Sequence, residues 1–116
     1  MNKPWEPYAL HMLDAIAKIR RIRSRGDIAQ DDILYDAALR NLQTLTEATQ
    51  QLPDRQKAFC PSIPWRQISG FRNILVHNYL GDIDPLTIAA VIETHLPALE
   101  DCVRTMLQHA DPRSSG

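Results

Sequence analysis

The sequence predicts an all-α fold, an antiparallel four-helix bundle that dimerises. Apolar residues recur at helical spacing along most of the chain, proline and glycine interrupt that rhythm at a few points, and no segment alternates as a half-buried strand would. The 116 residues suit one domain, 1–116, with a core from about residue 8 to 109 and a frayed tail over 111–116. No internal repeat or low-complexity segment is visible.

The first helix is expected from Glu6 to Arg25, with Leu10, Leu13, Ile16, Ala17 and Ile19 as its stripe. Gly26 should stop it, because a left-handed residue costs glycine little. A second helix starts between Asp27 and Asp31 and runs to about Gln51 on Ile33, Leu34, Ala37, Ala38, Leu42, Leu45 and Ala48, and Pro53 ends it. A surface loop from Arg55 to Pro61 follows. The third helix opens at Ser62-Ile-Pro64, with serine as cap and proline in the first turn, and continues to Leu80 before Gly81. Asp84-Pro85 opens the fourth, which reaches about Ala110 with a kink expected at Pro97.

Composition excludes several classes. At 44% apolar and 23% charged this is an ordinary globular chain, with a formal net charge of −1. Contact with a nucleic acid would therefore depend on a local basic cluster. Cys60 and Cys102 make no CxxC or zinc pattern and read as two separate thiols, which suits a reducing cytoplasm. No signal-peptide core and no apolar run of membrane-spanning length are present.

The third helix carries the chemistry. Phe71 to Leu80 sets arginine, asparagine, histidine and tyrosine into an otherwise apolar run. Arg72 holds a fixed charge, and His77 is of the type that titrates near neutrality. Together they suit a phosphate and its neighbouring hydroxyl. With Arg72 at zero and roughly 100° per residue, Ile68, Phe71, Ile74, Leu75 and Asn78 fall between roughly 200° and 320°, the expected core face. Arg72, Asn73, His77 and Tyr79 fall opposite, beside Trp65, Ser69, Val76 and Leu80. Ser69 and Gly70 would admit another backbone, so a second protomer is expected on that side. Asn73 is one turn from His77 and could orient the imidazole. Arg72 and His77 diverge by about 140°. They meet on one small group through the arginine's reach or through a partner's copy.

These residues resemble the HepT branch of the HEPN ribonucleases, small helical toxins paired with minimal nucleotidyltransferase (MNT-type) antitoxins. That signature is arginine, four to six residues, then histidine, often followed by any residue and tyrosine; here it reads Arg72-Asn-Ile-Leu-Val-His77-Asn-Tyr79. Pro61-Ser-Ile-Pro-Trp65 and Ile68-Ser-Gly-Phe-Arg-Asn73 resemble the branch's approach to this helix, and Arg40-Asn-Leu42 with Glu47-Ala48 resemble its second helix. Thr46 departs from that pattern, standing where glycine is common. The resemblance implies a metal-independent endoribonuclease, without cofactor, whose composite site lies at a homodimer interface. It implies Arg72 and His77 as catalytic residues, Asn73 in support, and attack by the RNA 2′-hydroxyl. It further implies neutralisation by AMPylation of Tyr79 by the antitoxin. The rival reading is a non-catalytic helical subunit that binds a nucleotide or a nucleotidyltransferase.

Other polar groups have plainer readings. Lys18, Arg21 and Arg25 share a face at the end of the first helix and could track an RNA backbone, or could simply complement the helix dipole. His11, His95 and His109 lack the Glu-x-x-His spacing of helical metal sites, so no metal is expected. Glu47 is expected in an ion pair with Arg40.

Overall fold

The computed structural model describes residues 4–77 and 83–109. Five helices follow in order: α1 Glu6–Ser24, α2 Asp32–Thr49, α3 Asp54–Lys57, α4 Trp65–His77 and α5 Pro85–Gln108. Among the described residues there is no strand. The four long helices are those the periodicity indicates, with α1 packed on α2 and α5, and α4 laid against α2.

Capping explains the boundaries. The Asp31 side chain accepts from the backbone N–H groups of Ile33 and Leu34 at the start of α2, at 2.9 and 3.3 Å. Asp84 accepts from the Leu86 N–H at 3.0 Å, with Pro85 filling the first position of α5, where its missing N–H leaves nothing unpaired. Gly26 acts differently from its expected role. The cap of α1 is Arg25 in a right-handed conformation, and Gly26 does not take the left-handed one. Its value is close approach: an added Cβ would lie 3.0 Å from Leu34 Cδ1.

The core is built on Ala9, Met12, Ile16 and Ile19 of α1, Leu42 and Leu45 of α2, and Ile88, Ile92 and Met106 of α5. Burial of each large aliphatic side chain contributes roughly 1.5–3 kcal/mol. Both leading helices are turned relative to the sequence expectation. Leu10 and Ala17 of α1 face solvent, as does Ile33 of α2, which is 75% exposed. Small Ala9 and Ala15 take the inward places because they let α1 approach its neighbours closely.

Two features of the α2–α4 connection differ from the expected loop. A single turn, α3, occupies Asp54–Lys57. Cys60 and Cys102 are joined in a disulfide, with 5.9 Å between Cα atoms, which corrects their reading as separate thiols. Cys102 is buried on α5, so the bond clamps the approach to α4 onto α5. Glu47 accepts from Gln43 at 3.3 Å instead of pairing with Arg40.

Candidate functional site

Helix α4 carries the candidate residues, and its orientation follows from what lies beneath it. Leu75 is its one nearly fully buried residue, while Ile68, Phe71, Arg72, Ser69, Val76 and Trp65 are half-buried. The inward arc is thus rotated by roughly 80° from the expected stripe. Ile74, expected in the core, is 47% exposed. The cause is the α3 corner. The Trp65 indole N–H donates to the carbonyls of Lys57 and Cys60, both at 3.2 Å, and Ser69 pairs with the Gln50 amide at 3.0 Å. The side expected to receive a partner is therefore occupied in part by the chain's own α2 and α3.

This rotation turns Arg72 inward. Its Nε is shut off from solvent and has no hydrogen-bond partner, while Nη1 donates to Asn73 Oδ1 at 3.2 Å. Asn73 thus engages the guanidinium through its Oδ1. His77 and Asn73 are exposed, one turn apart. The arrangement offers a cation with a desolvated stem, whose far nitrogens face outward, and an accessible imidazole beyond it. A charged group held away from water interacts with an anion more strongly than one fully hydrated. Tyr79, with Asn78, Leu80 and Gly81, lies outside the described residues, as do 111–116.

The other sequence candidates divide. Lys18 is tied to Asp14 at 3.3 Å, and its neighbour Arg20 reaches Glu100 on α5 at 2.5 Å. Arg21 and Arg25 face solvent without an ion pair among the described residues. They lie at the end of the bundle where α2 begins, and there the Tyr35 hydroxyl donates to the Ile83 carbonyl just before α5. His95 lines an apolar cleft of about 420 Å3 between α2, α4 and α5, walled also by Leu45, Ile68, Phe71, Val91 and Leu99. His109 lies against the Phe59 ring at 5.3 Å between centroids. Among the described residues, no group of three or more histidine, cysteine, aspartate or glutamate side chains could hold a metal ion.

Arg66 belongs to no sequence motif. It is exposed and lies seven residues before Asn73 and eleven before His77, on the same face of α4. That spacing was visible in the chain. What was missing was the knowledge that this face is the open one.

The described residues form an all-helical bundle that presents Arg72 and His77 from one helix. Residues 12–106 match the HepT-like family, described as "Ribonuclease HepT-like", and the chain belongs to it. It is similar to "Putative RNase TTE0752" of Caldanaerobacter subterraneus subsp. tengcongensis, 32% identical over 106 residues covering 88% of this chain and 93% of that protein. "Probable ribonuclease HepT" of Thermococcus cleftensis is 28% identical over 105 residues, 86% of this chain and 93% of the relative. The chain also matches about half (51%) of "Gamma-glutamylcyclotransferase and putative RNase MJ0434" of Methanocaldococcus jannaschii, at 25% identity over 96% of its own length. No solved structure matches significantly. Family and relatives together make this chain a ribonuclease. No described helix is long and apolar enough to cross a membrane.

Proposed function

We propose that this ribonuclease is the toxin of a toxin–antitoxin pair, a metal-independent endoribonuclease acting through Arg72 and His77. The observation that carries the reading is the Arg72 guanidinium, half-buried and steadied by Asn73, on the helix that also carries an exposed His77. Arg72 holds the scissile phosphate and offsets the charge that builds on its oxygens. His77 takes the proton of the RNA 2′-hydroxyl, whose oxygen attacks the adjacent phosphorus. The bond to the 5′-oxygen breaks, that oxygen takes the proton back from the imidazolium formed at His77, and the products are a 2′,3′-cyclic phosphate and a free 5′-hydroxyl. No water or metal is required in this step, because the nucleophile is already part of the substrate.

Arg72 and His77 lie about 140° apart around α4, so a homodimer is part of the proposal. The open strip holding Gly70 and Ile74 is the face offered to the second copy. A Cβ at Gly70 would meet nothing within 4 Å, and Ile74 is a large exposed apolar residue. AMPylation of Tyr79 by an MNT-type nucleotidyltransferase antitoxin would set a bulky anion two residues beyond His77 and repel RNA. An RNA target supports a cytoplasmic setting, and the Cys60–Cys102 disulfide weighs against a strongly reducing one.

Expression of the chain alone, beside Arg72→Ala and His77→Ala, tests the reading through growth and RNA integrity. Growth arrest with RNA breakage that disappears in both variants supports it. A harmless, unmodified wild type overturns the toxin assignment. Peptide mass after co-expression with a neighbouring nucleotidyltransferase tests the antitoxin step, and an adduct on any residue other than Tyr79 contradicts it.

A further inference from the structure

The corner between α3 and α4 holds a second feature that the cleavage chemistry does not use. Lys57, Trp65, Arg66 and Ser69 wall a shallow, open pocket of about 450 Å3, with Asp54 as the one carboxylate in its lining. The Lys57 ammonium lies 5.6 Å from the centre of the Trp65 ring, and Arg66 makes no ion pair among the described residues. Helix α4 itself contains two arginines, one histidine and no acid, in a chain whose net charge is −1.

We propose that this pocket is a nucleotide subsite for single-stranded RNA, a few nucleotides away from the phosphate held at Arg72. The inference rests on the ribonuclease reading of Arg72 and His77 and extends it along the helix. Arg66, Asn73 and His77 follow one another on a single exposed face, and about 16 Å of helix separates Arg66 from His77. A strand entering at the corner would follow that face to the motif. Arg66 and Lys57 take a phosphate of the strand. The Trp65 ring, freed as the flexible lysine swings to the anion, takes a base by stacking, as sequence-tolerant single-strand binders do. The indole is already fixed for this by its hydrogen bonds to the Lys57 and Cys60 carbonyls.

The test uses the full chain carrying His77→Ala, so that RNA is bound without being cut. A fluorescent single-stranded RNA octamer is titrated over a series of salt concentrations. Arg66→Ala or Lys57→Ala should each weaken binding about tenfold and lower the salt slope by about one. Arg66→Lys should recover most of the affinity, which separates lost charge from lost folding. RNA should also quench Trp65, since the only other tryptophan, Trp5, is buried. If wild type cleaves the octamer while the variants bind it unchanged and Trp65 is not quenched, the subsite is wrong and the ribonuclease reading stands. If no form binds or cleaves the octamer, both fall.

Discussion

Arg72 Nη1 donates to Asn73 Oδ1 at 3.2 Å, while Arg72 Nε is buried without a partner. Neighbouring residues on a helix point about 100° apart, so this contact draws the guanidinium around toward the exposed face. It thereby positions a group that the packing of α4 otherwise turns inward. Asn73→Ala should reduce RNA cleavage about tenfold, the effect of losing one positioning hydrogen bond. Arg72→Ala should reduce it at least a hundredfold, as expected when a donor to the transition-state anion is lost. Asn73→Asp should be worse than Asn73→Ala, because a carboxylate pairs with the guanidinium and competes with phosphate. Initial rates on one RNA, with melting curves as folding controls, check all three. An Asn73→Asp variant as active as wild type would contradict the relationship.

The Cys60–Cys102 bond spans 42 residues of chain. Loop-closure entropy alone assigns a cross-link of this length about 4 kcal/mol, a large part of a small domain's stability. Cys60→Ser, or reduction of the wild type, should lower the denaturant midpoint correspondingly. The two treatments should not add. Alkylation of the folded, non-reduced protein should label neither cysteine, and two labelled thiols would refute the pairing.

Glu100 of α5 joins Arg104 at 2.9 Å and Arg20 of α1 at 2.5 Å. Its carboxyl is held below the ordinary value of 4.5, chiefly by the hydrogen bond from Arg104 and then by that from Arg20, against an opposing cost of burial. A depressed carboxylate adds stability above its unfolded value and loses it as pH falls through the folded one. Both arginines are substantially exposed, so the contribution is about 1 kcal/mol. Glu100→Gln should be less stable than wild type by that amount at pH 7, and the difference should shrink as pH falls below 4.5 and through the lower folded value. A gap that persists in acid would mean the ion pairs are not its source.

Ile74 is exposed on the open side of α4, beside Gly70. If that strip receives a second copy, Ile74→Asp places a charge in the interface. The variant should shift sedimentation toward monomer and lower specific activity, while its melting temperature stays within a few degrees. A wild type that sediments as a monomer at working concentrations and still cleaves RNA would remove the dimer from the mechanism.

The helix starts were legible because they are local chemistry: Asp31, Asp84 and Pro85 act within one turn of themselves. The family was legible, since the match over residues 12–106 agrees with the resemblance those residues carry. The orientation of α4 was not. Phe71, Ile74 and Leu75 are equally apolar on a helical wheel, and only the tertiary course of residues 54–65 decides which of them face inward. The same holds for Leu10 and Ile33, which are exposed while the small Ala9, Ala15 and Ala38 are buried. A four-residue helix is too short to leave a periodic signature, so α3 read as loop. The disulfide joins positions that no local pattern relates.

Analysis of the RNA ends left by the purified chain, in the presence of a strong chelator, tests the central claim most directly. Cleavage through Arg72 and His77 yields 2′,3′-cyclic phosphate and 5′-hydroxyl ends, abolished by Arg72→Ala and by His77→Ala and on substrates lacking the 2′-hydroxyl at the cleaved position. Ends bearing a 5′-phosphate, or cleavage that survives both substitutions, would contradict it.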